Sequence, residues 1–219
     1  MLPQIHSAIP LDTLAYFLVM AGFGAYHGLN PGMGWLFALS LGLQKQNDRV
    51  VWVSLFPIAV GHAVSVALVA LIVLAGIRFV SLSSLQIFTA ILLLSFGTYK
   101  FFNYYRHPRW VGMQVGVRDL FVWSFLMATA HGAGLMIIPT LLGIAGDYCT
   151  AGADSYPGSG LFLAIGVHTI AMFAVMGAVA WIVYKKFALS VLRQRWINFD
   201  LIWAIALILV GTVSLFIAI

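Results

Sequence analysis

Residues 21–34 read Ala21-Gly22-Phe23-Gly24-Ala25-Tyr26-His27-Gly28-Leu29-Asn30-Pro31-Gly32-Met33-Gly34. An apolar run carries a histidine in its middle and then meets Asn-Pro-Gly. Proline removes a helix hydrogen bond and glycine relaxes the backbone around it, so a helix that starts near Thr13 should break here. A second stretch repeats the pattern. Thr129-Ala130-His131-Gly132 matches Ala25-Tyr26-His27-Gly28, and a methionine follows each, Met33 and Met136. Downstream, Gly61-His62-Ala63-Val64 corresponds to Gly166-Val167-His168-Thr169. His62 follows His27 by 35 residues, and His168 follows His131 by 37.

Composition sets the medium. Of 219 residues, 63% are hydrophobic and 8% charged, and none of the six acidic residues is Glu. A soluble domain is about a quarter charged. This chain has too little polar surface to cover a water-soluble globule. A soluble enzyme, a disordered chain and a disulfide scaffold are excluded. The lone cysteine, Cys149, allows no internal disulfide and no intramolecular dithiol cycle. Residues 1–11 hold no Lys or Arg, and no small-residue cleavage pattern follows, so the first helix is expected to stay in the mature protein.

Six apolar blocks are expected to cross the membrane: Thr13–Leu41, Val50–Ala75, Ser84–Phe102, Leu120–Ala145, Gly160–Tyr184 and Phe199–Ile219. The first and fourth are long for one crossing, and Pro139 is expected to kink the fourth. The fold class is therefore all-α, a single polytopic membrane domain over residues 1–219. Three helices per unit, in halves 13–102 and 119–219, make the second unit enter from the opposite side. That is the inverted-repeat plan of many secondary transporters, with a site between the halves near the midplane. Asp12, Asp119 and Asp200 each stand just before an apolar block, where helix N-capping is the plainest role.

The net charge of +5 reads as topology. The basic residues form no stripe with interleaved aromatics, so no nucleic-acid partner is expected. Lys45, Arg49, Lys100, Arg106, Arg109, Arg118, Lys185, Lys186, Arg193 and Arg195 all fall on one face, against Arg78 alone on the other. The positive-inside rule then places the odd-numbered connections in the cytoplasm and both termini outside. The expected setting is a plasma membrane, a bacterial inner membrane in particular. The 4–5 connection, Gly146 to Ser159, is external and holds Cys149. Gly22 and Gly24 could serve packing within the bundle or between copies in a homo-oligomer, and the sequence leaves both open.

Six histidines divide in two groups. His6 and His107 fall outside the apolar blocks. His27, His62, His131 and His168 lie about 9 to 15 residues inside, which at 1.5 Å per residue is about 13 to 23 Å deep. One such histidine is ordinarily interhelical glue. Four in matched positions point to one shared site, and intramembrane polar groups mark functional pathways. Neutral imidazole is the commonest metal ligand. Asn30, Met33, Met136 and Met172 are further candidate substrate contacts, although a methionine one turn after His168 is first of all a packing residue. No carboxylate lies well inside a block, so Mg²⁺ and Ca²⁺ are poor substrates. Cu⁺ would cost least in low dielectric, and Ni²⁺, Co²⁺ and Zn²⁺ also suit imidazole.

The stretch His27-Gly28-Leu29-Asn30-Pro31-Gly32-Met33 resembles the first-helix signature of nickel/cobalt transporters and urease-accessory-type membrane proteins, part of the lysine-exporter-like superfamily. In that signature a His is followed by acidic residues and by a second His six positions on. His27 matches the first position. Asn30 and Gly32 stand where acids are expected, and Met33 stands in place of the second His. The resemblance implies a metal transporter on an inverted three-helix repeat. The superfamily also includes thiol–disulfide electron carriers, against which the single cysteine argues.

Three activities stay open on sequence grounds. The first is transport of a transition-metal ion held by the four histidines. The second is an intramembrane metalloenzyme or redox protein with a resident metal. The third is export of a small organic or anionic solute. The break and the repeat favour transport.

Overall fold

The computed structural model describes residues 11–103, 116–150, 157–186 and 199–219. All regular structure among them is helical: α1 Leu11–Leu29, α2 Trp35–Gln44, α3 Asp48–Ile77, α4 Leu82–Phe102, α5 Val117–Ala130, α6 Ala133–Thr150, α7 Pro157–Lys186 and α8 Phe199–Ala218. His6, His107 and the basic residues Arg106, Arg109, Arg193 and Arg195 lie outside the described residues.

The outer surface is apolar. Phe56, Ile72, Ile170 and Phe216 are each at least 65% exposed. Contiguous apolar exposure on this scale is tolerable only against lipid or a partner. Helices α3, α4, α7 and α8 are each long and apolar enough to cross a membrane, and α5 with α6 adds a fifth crossing if that bent pair is one span. This is a coarser result than six uniform blocks. The first block is divided into two shorter apolar helices, α1 and α2, around a 3-10 turn at Pro31–Met33.

The two breaks have local causes. In the first, Pro31 opens the turn, the Asn30 side chain accepts a hydrogen bond from Gly32 N at 2.9 Å, and Gly34 closes it at φ 119°. That left-handed φ suits only a residue without Cβ, and a Cβ there would also strike Ile58. In the second, α5 and α6 bend by 66° at His131–Gly132, with Gly132 at φ 70°. Pro139 stays inside α6 and does not set the bend, contrary to the expectation from sequence. The left-handed glycine outweighs the proline because it turns the chain itself, whereas proline inside a helix removes one hydrogen bond. Helix α6 continues to Thr150, so the connection before α7 is shorter than expected.

Asp119 caps from inside α5. Its Oδ2 accepts from Gly116 N at 2.9 Å, so the N-cap is Gly116 and Asp119 is its reaching-back partner. Asp12 and Asp200 lie in the first turns of α1 and α8.

Packing follows closely spaced pairs. α1 lies on α7, α5 on α3, and α4 on α8, while α2 and α6 each touch both α3 and α7. Small residues allow the approach. A Cβ on Gly28 would sit 2.6 Å from the Met172 carbonyl oxygen, and one on Gly24 would strike the His168 carbonyl. Gly61 plays this part against Phe121 on α5, and Gly97 faces Ala204 and Ile208 on α8. At one end of the bundle Lys185 Nζ meets Asp48 Oδ2 at 3.0 Å, so the start of α3 and the end of α7 share a face.

Candidate metal centre

His27 sits in the last turn of α1, two residues before the helix ends. His62 stands midway along α3, and His168 lies on α7 against α1. The three side chains are 0%, 1% and 0% exposed. Their rings converge, with centroids 5.2 Å apart for His27–His62, 4.9 Å for His27–His168 and 5.6 Å for His62–His168. One nitrogen from each lies within 4.8 Å of the other two. Among the described residues this is the only such group of His, Cys, Asp or Glu.

Hydrogen bonding fixes which nitrogens face inward. His27 Nδ1 is 2.6 Å from the Phe23 carbonyl, and His168 Nδ1 is 3.2 Å from the Met20 carbonyl. A carbonyl can only accept, so in both rings Nδ1–H donates. In a neutral imidazole that leaves the Nε2 lone pair free. His27 Nε2 is buried with no hydrogen-bond partner. An unsatisfied buried polar atom costs about 1–3 kcal/mol. His62 Nε2 and His168 Nε2 stand 3.4 Å apart, and with the His168 proton on Nδ1 the His62 Nε2–H donates across this gap to the His168 lone pair, a proton that a bound ion would have to displace. Two nitrogens bound to one ion at about 2.0 Å would be separated by about 3.3–3.5 Å. Ring N–H groups anchored on carbonyls are the usual outer support of metal-ligating histidines. The donor set can hold a metal ion.

The fourth histidine is placed differently. His131 is 4% exposed and closes α5 at the second break. Its Nδ1–H donates to the Met127 carbonyl at 2.9 Å. It is not one of the converging three. Trp203 of α8 contacts both: its ring centroid is 4.7 Å from His27 and 6.0 Å from His131, and its indole N–H donates to the His131 carbonyl. Tyr26 stacks on that indole at 5.4 Å. The two breaks face each other here, since a Cβ on Gly32 would lie 3.7 Å from His131 Nε2.

The weaker candidates are buried. Asn30 spends its side-chain oxygen on the turn, and the His27 carbonyl accepts from Asn30 N at 3.2 Å. Met33 and Met136 join Trp203 and Leu93 in one apolar cluster. Met172 packs with Met176, Leu55 and Ile58 in another.

Trp203 and Tyr26 are the residues that sequence reasoning missed. A signal was present: an indole in the middle of an apolar block needs an acceptor for its N–H. No family model, no curated protein and no solved structure matches the chain.

Proposed function

We propose that the chain is an integral membrane transporter that carries a transition-metal ion, its substrate, on His27, His62 and His168, with His131 a neighbouring station behind Trp203. One observation carries the reading: three fully buried imidazoles from three helices converge, two of them with Nδ1–H held on α1 carbonyls, and no carboxylate joins them among the described residues. The membrane lacks water to satisfy such groups, so a set of this kind is retained for what it binds.

A six-crossing, 3+3 inverted arrangement is part of the proposal, with α1–α2 and α5–α6 each counted as one broken crossing. Exchanging the halves turns α1 on α7 into α5 on α3, α2 on α3 into α6 on α7, and leaves α4 on α8 unchanged, and each of these packings occurs. Depth agrees. His62 is 14 residues from the start of α3 and His168 is 18 from the end of α7, about 21 and 27 Å from the face marked by Asp48 and Lys185 at 1.5 Å per residue. Broken helices meeting near the midplane are the feature by which such transporters bind and release ions. The basic face is assigned to the cytoplasm of a bacterial inner membrane, which puts both termini outside.

The test is uptake or efflux of Ni²⁺, Co²⁺, Zn²⁺ and copper in cells expressing His→Ala variants, normalised to membrane-inserted protein. If His27, His62 and His168 share one ion, each single change abolishes most transport and a second adds little. Additive losses that track expression alone would make the histidines structural. Orientation is read separately: Cys149 should react with a membrane-impermeant thiol reagent in intact cells, and reaction only after permeabilisation would reverse the topology.

A further inference from the structure

We infer that the ion bound by His27, His62 and His168 is a monovalent d¹⁰ cation, Cu⁺, rather than Zn²⁺, Ni²⁺ or Co²⁺; this rests on the metal reading above and narrows it. The argument is one of charge and ligand count. All three donors are neutral imidazoles. Of the acids whose side chains are described, Asp48 pairs with Lys185 at a helix end and Asp119 is exposed at the start of α5. An ion seated here keeps its full charge. Desolvation cost rises with the square of that charge, so a divalent ion costs about four times as much as a monovalent ion of equal size. Among the described residues no carboxylate or thiolate joins the three rings to offset the difference.

Ligand count points the same way. Structural Zn²⁺ takes four protein ligands, and catalytic Zn²⁺ completes its shell with water. The three histidines are 0–1% exposed, and no fourth His, Cys, Asp or Glu joins the group among the described residues. The one other imidazole among the described residues, His131, contacts Trp203 but is not part of the converging group. Nickel and cobalt in their divalent states favour still larger shells. Cu⁺ has a filled d shell and no ligand-field preference, and it is satisfied by three nitrogens in a plane.

Met33, Met136 and Met172 make a rival source of soft ligands. Each is buried in an apolar cluster, whereas the three imidazole nitrogens already converge, so nitrogen is the expected shell and sulfur the alternative that the test excludes.

The experiment uses the full-length protein purified in detergent. Cu⁺ is held reduced under anaerobic conditions, and Ag⁺ serves as a redox-inert monovalent probe. Each is titrated against a competing chelator, alongside Zn²⁺, Ni²⁺ and Co²⁺. The expected result is one Cu⁺ or Ag⁺ per chain, not displaced by the divalent ions. X-ray absorption of the copper-loaded native protein should give a nitrogen shell without sulfur. Loss of an outer-shell partner already costs 10–100-fold in affinity, so His62→Ala or His168→Ala should weaken Cu⁺ by at least about 100-fold. His62→Gln and His168→Gln, closer in size, should do the same, with circular dichroism reporting that the helices persist. Stoichiometric, histidine-dependent Zn²⁺, Ni²⁺ or Co²⁺ that holds against Cu⁺ would overturn the monovalent assignment and leave the metal reading standing. A sulfur shell would overturn the three-nitrogen site. Folded protein that binds none of these ions would overturn both.

Discussion

The two helix breaks begin from the same His-Gly pair and end differently. Ala25-Tyr26-His27-Gly28 leads into a turn that closes on itself, with Asn30, Pro31 and Gly34 absorbing the backbone change after the histidine. His27 therefore remains helical and projects toward α3 and α7. In Thr129-Ala130-His131-Gly132 the histidine is itself the C-cap that follows Ala130, the last residue of α5, and one left-handed glycine makes the whole turn. His131 is rotated out of the group and its carbonyl is taken by Trp203. A few residues of spacing between a side chain and the break decide whether that side chain belongs to the site.

The sharpest way to break this comparison is to exchange the roles of the two histidines. His27→Ala should lower metal affinity by at least about 100-fold, because it removes a ligand where even outer-shell losses cost 10–100-fold. His131→Ala should leave the affinity of purified protein within a few-fold and slow transport instead. Equal losses of affinity in both variants, measured by chelator competition, would mean that the two histidines bind alike.

A smaller effect is expected at the seat of α1. Gly28→Ala forces a Cβ against the Met172 carbonyl and the Met176 amide on α7, backbone atoms that cannot rotate away. Overpacking of this kind costs about 1–3 kcal/mol, and it should spread the three rings and weaken metal binding. Gly22→Ala has open space around it and should stay within about 0.5 kcal/mol of the parent. Thermal melts in detergent, with and without metal, separate the two. If both behave alike, α1 does not seat on α7 through its glycines.

Next come the turn glycines. Gly34→Ala and Gly132→Ala both put a side chain at positive φ, at a cost of about 1–2 kcal/mol. Gly132→Ala should disturb transport more than binding, since its break lies beside His131. A Cβ at Gly132 would press on Phe96 and one at Gly34 on Ile58, and Gly34→Ala, in the break that follows His27, should disturb both binding and transport.

Trp203→Phe should have the mildest effect, about 1 kcal/mol of stability from one lost hydrogen bond to the His131 carbonyl. The ring contact with His27 should survive. Trp203→Ala removes that wall as well, and it should let ions pass between the three-histidine site and His131 more freely. Unchanged flux in Trp203→Ala would remove Trp203 from the path.

Much of this was legible in the sequence because a membrane leaves few options. Apolar blocks set where helices run, and Asn30-Pro31-Gly32 announces its break through residue types that act locally. The convergence of His27, His62 and His168 could be anticipated from matched depth alone. The departure of His131 could not. It depends on the φ of Gly132 and on a bend of 66°, which residue types do not specify when Pro139 nearby is the more conspicuous breaker. Trp203 was equally hidden, since its partners Tyr26, His27 and His131 are far from it in the chain and are brought near only by packing.

Both carbonyls that hold the site's imidazole N–H groups, those of Phe23 and Met20, belong to α1. His27 rides on α1 as well. A tilt of this one helix away from α7 would withdraw a ligand from the ion and strip His168 of the acceptor that fixes its tautomer. The proton on His168 could then move to Nε2 and block the lone pair that had faced the ion. Opening a route and loosening the grip on the cargo would be one motion, so unloading would need no separate trigger.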